Sequence, residues 1–189
     1  PRWSYAMRWD PIIEPMERIA GRIRNDALNH QRLWFVLFQG AYGPNAPLKA
    51  WLDTALYPAG GEWQGDTLYL AYAYPGREWQ QQVRDDLFEN GVRLREARWN
   101  PRVLPGGACT LDLVWDTQRP LHRVYKVFVH AVDGSGALLG QHDALLGTEA
   151  RPANTWTVGE KVREPHGLFL IPPSQGRSTV RLLVGLYDA

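Results

Sequence analysis

The densest group of side chains able to do chemistry is His130, Gln141, His142 and Asp143. Imidazole and carboxylate can share a proton or a metal ion, and together with an amide they can take up the hydroxyls of a sugar. His130 lies in VYKVFVHAVD and the other three in ALLGQHDAL, with the turn DGSG between them. If the two runs pair across that turn, His130 comes close to Gln141 or Asp143. Adjacent residues of a regular strand point to opposite faces, so His142 and Asp143 cannot both ligate one ion. The group reads either as a satisfied hydrogen-bonding network or as a ligand or metal site, with His130, Gln141 and Asp143 as candidate ligand residues. Trp156, in NTWTVGE, is a fourth candidate. A tryptophan in a loop can plug the end of a sandwich or stack on a pyranose ring.

Other constellations give less. DGSGALLG places glycines at 134, 136 and 140, one residue off the dinucleotide spacing and ahead of a strand instead of a helix, so a hairpin turn explains it. Its Asp133 lacks the partners of a calcium loop. Ser135 sits in that turn without a GxSxG elbow. Asp85, Asp86 and Glu89 read as a solvated helix face. His30, His122 and His166 lie in turn-like surroundings where surface or capping roles suffice. Cys109, the single cysteine, sits in the strand-like ACTLDLVW and reads as a buried apolar thiol. No catalytic residue, no closed metal-ligand set and no cofactor motif is assigned.

Composition bounds the class. A chain of 189 residues with 44% hydrophobic and 22% charged residues can bury a core unaided. Its 21 basic and 20 acidic residues are mixed along the chain, without the basic stripe that phosphate binding needs, so nucleic acid is not an expected partner. No apolar run approaches the roughly 18 residues of a membrane span. The abrupt start at Pro1 reads as a piece of something longer. Nine tryptophans and eight tyrosines are expected mainly in the core.

The elements that must position these residues fall into two parts. A helix is expected from Pro15, with Met16, Ile19 and Ile23 on its buried face. RLWFVLFQG, residues 32 to 40, predicts a strand covered on both faces, and a second helix follows Pro44 and Asn45 with Leu48, Trp51, Leu52 and Ala55 on one side. TLYLAYAYP, residues 67 to 75, predicts a strand. This order implies a small α/β unit, its strands parallel or in one sheet, closed by a connecting helix over 77 to 90, where Trp79, Val83 and Leu87 share a side. From Gly91 the period becomes two. Six candidate strands follow at spacings that argue for an antiparallel β-sandwich, Ig-like or jelly-roll-like. The expected class is thus α+β, with residues 1–90 as the α/β unit and residues 91–189 as the sandwich.

The phrases VYKVFVHAVDGSGALLGQHD, NTWTVGEKVREPHGLFLIP and VRLLVGLYD, in that order, resemble the C-terminal extracytoplasmic region of bacterial GT-C membrane glycosyltransferases of the protein O-mannosyltransferase type. The likeness extends over residues 32 to 75 and 88 to 188. It implies a non-catalytic domain on the extracytoplasmic face of the cell membrane, part of a longer membrane protein that uses a polyprenyl-phosphate sugar. The implied partners are the transmembrane part of the same protein and a glycan or protein acceptor, with an accessory role in binding them or in stabilising the enzyme. An independent carbohydrate-binding or adhesion module, or a soluble hydrolase, are the rival readings.

Alternation also assigns faces. Leu111, Leu113 and Trp115, Val127, Val129 and Ala131, and Val180, Leu182, Val184 and Leu186 are the expected core. The other face carries Val114, Phe128, Leu183 and Tyr187 beside Asp112, Lys126, His130 and Arg181. It is expected to pack against the α/β unit and make the chain one rigid body. The competing use is an exposed sugar platform with Phe128 and Tyr187 as stacking rings.

Overall fold

The computed structural model describes residues 14–27, 30–38, 43–75, 77–103, 106–148, 151–172 and 179–189. Helix α1 (Met16–Ala27) follows Pro15 and buries Ile19, Ala20, Ile23 and Ala27, with Glu17 in its first turn and Arg24 in its last, as the helix dipole favours. Strand β1 (Arg32–Phe38) leads to α2 (Ala46–Ala55), which buries Leu48 and Leu52 one turn apart. Strands β2 (Tyr57–Gln64) and β3 (Thr67–Ala73) complete an antiparallel sheet of order β1-β3-β2. Among the described residues all strands of this first unit share one sheet and none is parallel. Phe35, Leu37, Leu68, Leu70 and Tyr72 meet the helices across that sheet. Tyr72 donates to Asp53 of α2 at 2.6 Å, so β3 and α2 are tied by a hydrogen bond as well as by packing.

Two expectations for this half change. Strand β1 is covered on one face only, because Trp34, Val36 and Phe38 are exposed while Phe35 and Leu37 are buried. Residues 39 and 40 lie outside the described residues. Strand β2, for which there was no sequence-based expectation, is an edge strand that accommodates its glycines in a register shift between Pro58 and Gly60. The expected connecting helix is instead strand β4 (Gln80–Leu87). It pairs with the strand over Val92–Trp99, so the sandwich begins before residue 91. An edge strand with both faces wet has no apolar alternation to reveal it, and its charges are satisfied across the sheet, as in Arg95 to Asp85 at 2.8 Å.

The remaining strands are β5 (Val92–Trp99), β6 (Ala108–Thr117), β7 (Tyr125–Val132), β8 (Leu138–Leu145), β9 (Val162–Phe169) and β10 (Arg181–Asp188). They form two antiparallel sheets, β4-β5-β6-β9 and β10-β7-β8. The chain is an α+β protein: a small helical unit with its own sheet, then an antiparallel β-sandwich. Leu111, Leu113, Trp115, Val127, Val129 and Ala131 are all buried between the sheets, joined by Val180, Leu182, Val184 and Leu186 at partial burial. Each fully buried aliphatic side chain contributes roughly 1.5–3 kcal/mol.

The outer face of β6 and β9 meets the first unit. Tyr57, Ala73 and Ala108 form a small core there with Trp79 and Phe169. Asp112, 3% exposed, accepts a hydrogen bond from the Tyr57 hydroxyl at 3.0 Å and pairs with Arg98 at 3.2 Å and with Arg163. Arg32 donates from β1 to the carbonyls of Gly107 and Leu170. At Gly167 an added Cβ would lie 2.5 Å from the Tyr57 carbonyl oxygen, so the two parts touch backbone to backbone.

Candidate functional site

The opposite sheet, β10-β7-β8, keeps its outer face open. Register places Gly185, Phe128 and Asp143 in one row across the three strands, with Leu183, His130 and Gln141 in the row above and Tyr187, Lys126 and Leu145 in the row below. Phe128 lies over Gly185, where a Cβ would fall 2.3 Å from the ring. The glycine therefore leaves room for the tip of the Phe128 ring to reach across the neighbouring strand. His130 packs on Phe128 with ring centroids 4.8 Å apart, and Tyr187 flanks it at 6.5 Å. Leu183 and Tyr187 are 46% and 39% exposed, so the surface is a shelf open to water.

Polar groups border that shelf. The Tyr187 hydroxyl donates to Asp143 Oδ2 at 3.1 Å, and His130 Nε2 stands 3.8 Å from Asp143 Oδ1. Loss of water first, and the Asp143 carboxylate second, hold the Tyr187 phenol above its ordinary range. Three of the four sequence candidates, His130, Gln141 and Asp143, thus come together around Phe128. The face as a whole was expected to pack on the first unit. That holds for Asp112 on β6 and not for Phe128, Leu183 or Tyr187, because β6 belongs to one sheet and β7 and β10 to the other. Gly185 escaped the sequence reading of the site. A glycine at an outward position of a strand otherwise made of bulky residues is the signal that could have found it.

Trp156 takes the plugging position. It is 6% exposed, packs in the sandwich core and donates through Nε1 to the Arg151 carbonyl at 3.3 Å. It offers no ring face for stacking on a ligand.

His142 turns inward, as alternation from Asp143 requires, and meets His166 Nδ1 to Nδ1 at 3.0 Å. His166 is fully buried, not a surface or capping residue, since β9 points 164, 166 and 168 into the core. Its Nε2 lies 3.4 Å from Glu164 Oε2 without a formed hydrogen bond. Glu164 accepts from Trp115 Nε1 at 2.8 Å and from the Gly147 N–H at 3.1 Å. Burial first, and His166 second, lower the His142 pKa to about 3.

Chemically, the open face can hold and orient a polyhydroxylated ligand. Cys109 lies in the core, where burial pushes its thiol up to about 12, so it supplies no thiolate at neutral pH. Among the described residues no group of three or more His, Cys, Asp or Glu is arranged to hold a metal ion. Among the same residues no helix is long and apolar enough to cross a membrane. The Asp133 turn is the hairpin its sequence suggests: its carboxylate accepts from the Ser135 N–H, the Ser135 hydroxyl and the Ala137 N–H, and Gly136 has φ 89°.

No family model and no curated protein matches this chain. Among solved structures it is similar to a β-glucuronidase from glycoside hydrolase family 2, with 11% identity and a TM-score of 0.37. The similarity covers 65% of this chain and 12% of that one. At that distance no role and no residue is carried over.

Proposed function

We propose that this chain is a non-catalytic, glycan-binding accessory domain, working as the extracytoplasmic portion of a polyprenyl-phosphate-sugar-dependent membrane glycosyltransferase. The observation that carries the glycan-binding part is the Phe128 shelf. An aromatic ring on an open sheet face, bordered by a carboxylate, an imidazole, an amide and a phenol, matches the two sides of a pyranose, its apolar C–H face and its rim of hydroxyls. The membrane setting rests on the resemblance of the three C-terminal phrases. The domain's part is to hold acceptor or product glycan while the transfer takes place elsewhere in the longer protein.

Titration of the isotope-labelled chain with neutral oligosaccharides, manno-, cello- and chito-oligomers in parallel, tests the reading by backbone and aromatic NMR. Shifts should gather on β7, β8 and β10, and Phe128→Ala should weaken binding about tenfold, the worth of one stacked ring. Absence of shifts on this face with every oligomer at millimolar concentration would overturn it.

A further inference from the structure

The open face of β10-β7-β8 carries more positive charge than a neutral sugar can use. Lys126 on β7 and Arg181 on β10 share it with Phe128, and both are exposed. The carboxylates of these strands are engaged by other groups. Asp143 accepts from the Tyr187 hydroxyl and faces His130, and Asp188 pairs with Arg123 at 2.7 Å. Among the described residues neither Lys126 nor Arg181 has an ion-pair partner.

The hydrogen-bonding types are unbalanced in the same sense. Lysine and arginine only donate, and a glutamine amide or a neutral imidazole does both. Asp143, the carboxylate that the described residues put on this face, already accepts from Tyr187. Sugar hydroxyls donate and accept alike, so they leave the excess of donors as it was. An ionised carboxylate or phosphate accepts only, and it is the group that completes the face.

Register supplies the spacing. Lys126 lies one row from Phe128, about 7 Å along β7, inside the roughly 8 Å over which charge acts through physiological salt. Arg181 pairs with Val132, whereas Lys126 pairs with Tyr187, six residues further along β10. The two cations therefore stand about 20 Å apart along the strands, too far for one anionic group to meet both. A glycan laid along the strands over Phe128, with charge on more than one of its sugars, reaches each of them.

We propose that the shelf selects acidic glycan, an oligosaccharide with carboxylates or phosphates on at least two sugars, one taken by Lys126 and another by Arg181. The inference rests on the reading of the Phe128 shelf as the glycan site and names the ligand class of that site. An exposed charge contact is worth up to about fivefold in affinity, and two so far apart add, so a charged oligomer should bind about 20-fold tighter than its uncharged counterpart.

Titration of the full chain with hexagalacturonate and with its methyl ester, which keeps the rings and removes the charge, measures that preference by NMR. A phosphorylated oligomannoside beside the plain oligomannoside forms the second arm, and the larger of the two preferences tells carboxylate from phosphate. The preference should shrink steeply in high salt and fall below about twofold in the double variant Lys126→Gln with Arg181→Gln. If that variant is poorly folded, the salt dependence in the unaltered chain decides. The acidic selectivity is overturned if neither charged oligomer exceeds its uncharged counterpart by twofold, if high salt leaves the preference intact, or if the double variant retains it. In those cases the uncharged oligomers still report on the shelf. Absence of binding by every oligomer, charged and uncharged, would overturn the shelf and this selectivity together.

Discussion

Gly185 bears no side chain because the Phe128 ring occupies the space above it. An added methyl would meet ring atoms at 2.3 and 2.4 Å, well inside van der Waals contact. Gly185→Ala should lift the ring from the sheet and lower stability by about 1–3 kcal/mol, the range for overpacking, as read from urea melts. It should also weaken oligosaccharide binding, and an unchanged affinity would show that the ring's seat over Gly185 does not matter. Trp156 gives the opposite lesson. Its surroundings in sequence, NTWTVGE, read equally as a ligand loop or a plug, and only its 6% exposure separates the two. The histidines divide in the same way: His130 stands on the shelf while His142, twelve residues on by number, is enclosed.

At the scale of elements, β8 and β9 show how alternation carries polar groups inward as faithfully as apolar ones. Residues 164, 166 and 168 are all buried, so Glu164 and His166 share a face with Leu168. Burying His142 as a neutral ring makes stability depend on pH. Its folded pKa is depressed from 6.5 to about 3, so the unfolded chain binds the proton first as pH falls. Stability from this group is full above about pH 6.5 and is lost progressively down to about pH 3, with about 2 kcal/mol gone at pH 5. Urea unfolding at pH 7.5 and pH 5 should show that loss, and His142→Gln should remove most of it. Strands β2 and β4 mark the other side of legibility. Both are edges, one rich in glycine and one wet on both faces, and neither imposes the periodicity by which a strand is recognised.

For the whole molecule the decisive contact is Asp112, a buried carboxylate held by Tyr57 of the first unit and by Arg98 and Arg163 of the sandwich. Removing the carboxylate takes its hydrogen bonds and ion pairs from Tyr57, Arg98 and Arg163, and Asp112→Ala should lower stability by about 1–3 kcal/mol. Tyr57→Phe, which deletes the hydrogen bond donated to Asp112 and the one accepted from Arg163 but no charge, should cost about 1–2 kcal/mol. Calorimetry of the unaltered chain should give one transition for the two parts, because Arg32, Tyr57 and the backbone approach at Gly167 join them. In Asp112→Ala that transition should broaden or split. A single sharp transition at the original temperature would mean that Asp112 does not couple the units.

What the sequence determined by itself was which segments pair locally and which side of each strand is apolar. Period-two alternation with the turn at DGSG suffices for the six sandwich strands, and the helical spacing of Met16, Ile19 and Ile23 and of Leu48, Trp51, Leu52 and Ala55 for both helices, since each acts over a few residues. Tertiary structure decided which sheet each strand joined. Leu113, Val129 and Val184 carry the same inward signal, yet the backs of their strands look in opposite directions: the back of β6 meets Tyr57, while the backs of β7 and β10 meet water. Alternation reports a side relative to the strand and carries no information about which layer the strand occupies. The chain therefore had one outer face packed on the first unit and the other left as the shelf, and long-range pairing alone made that choice.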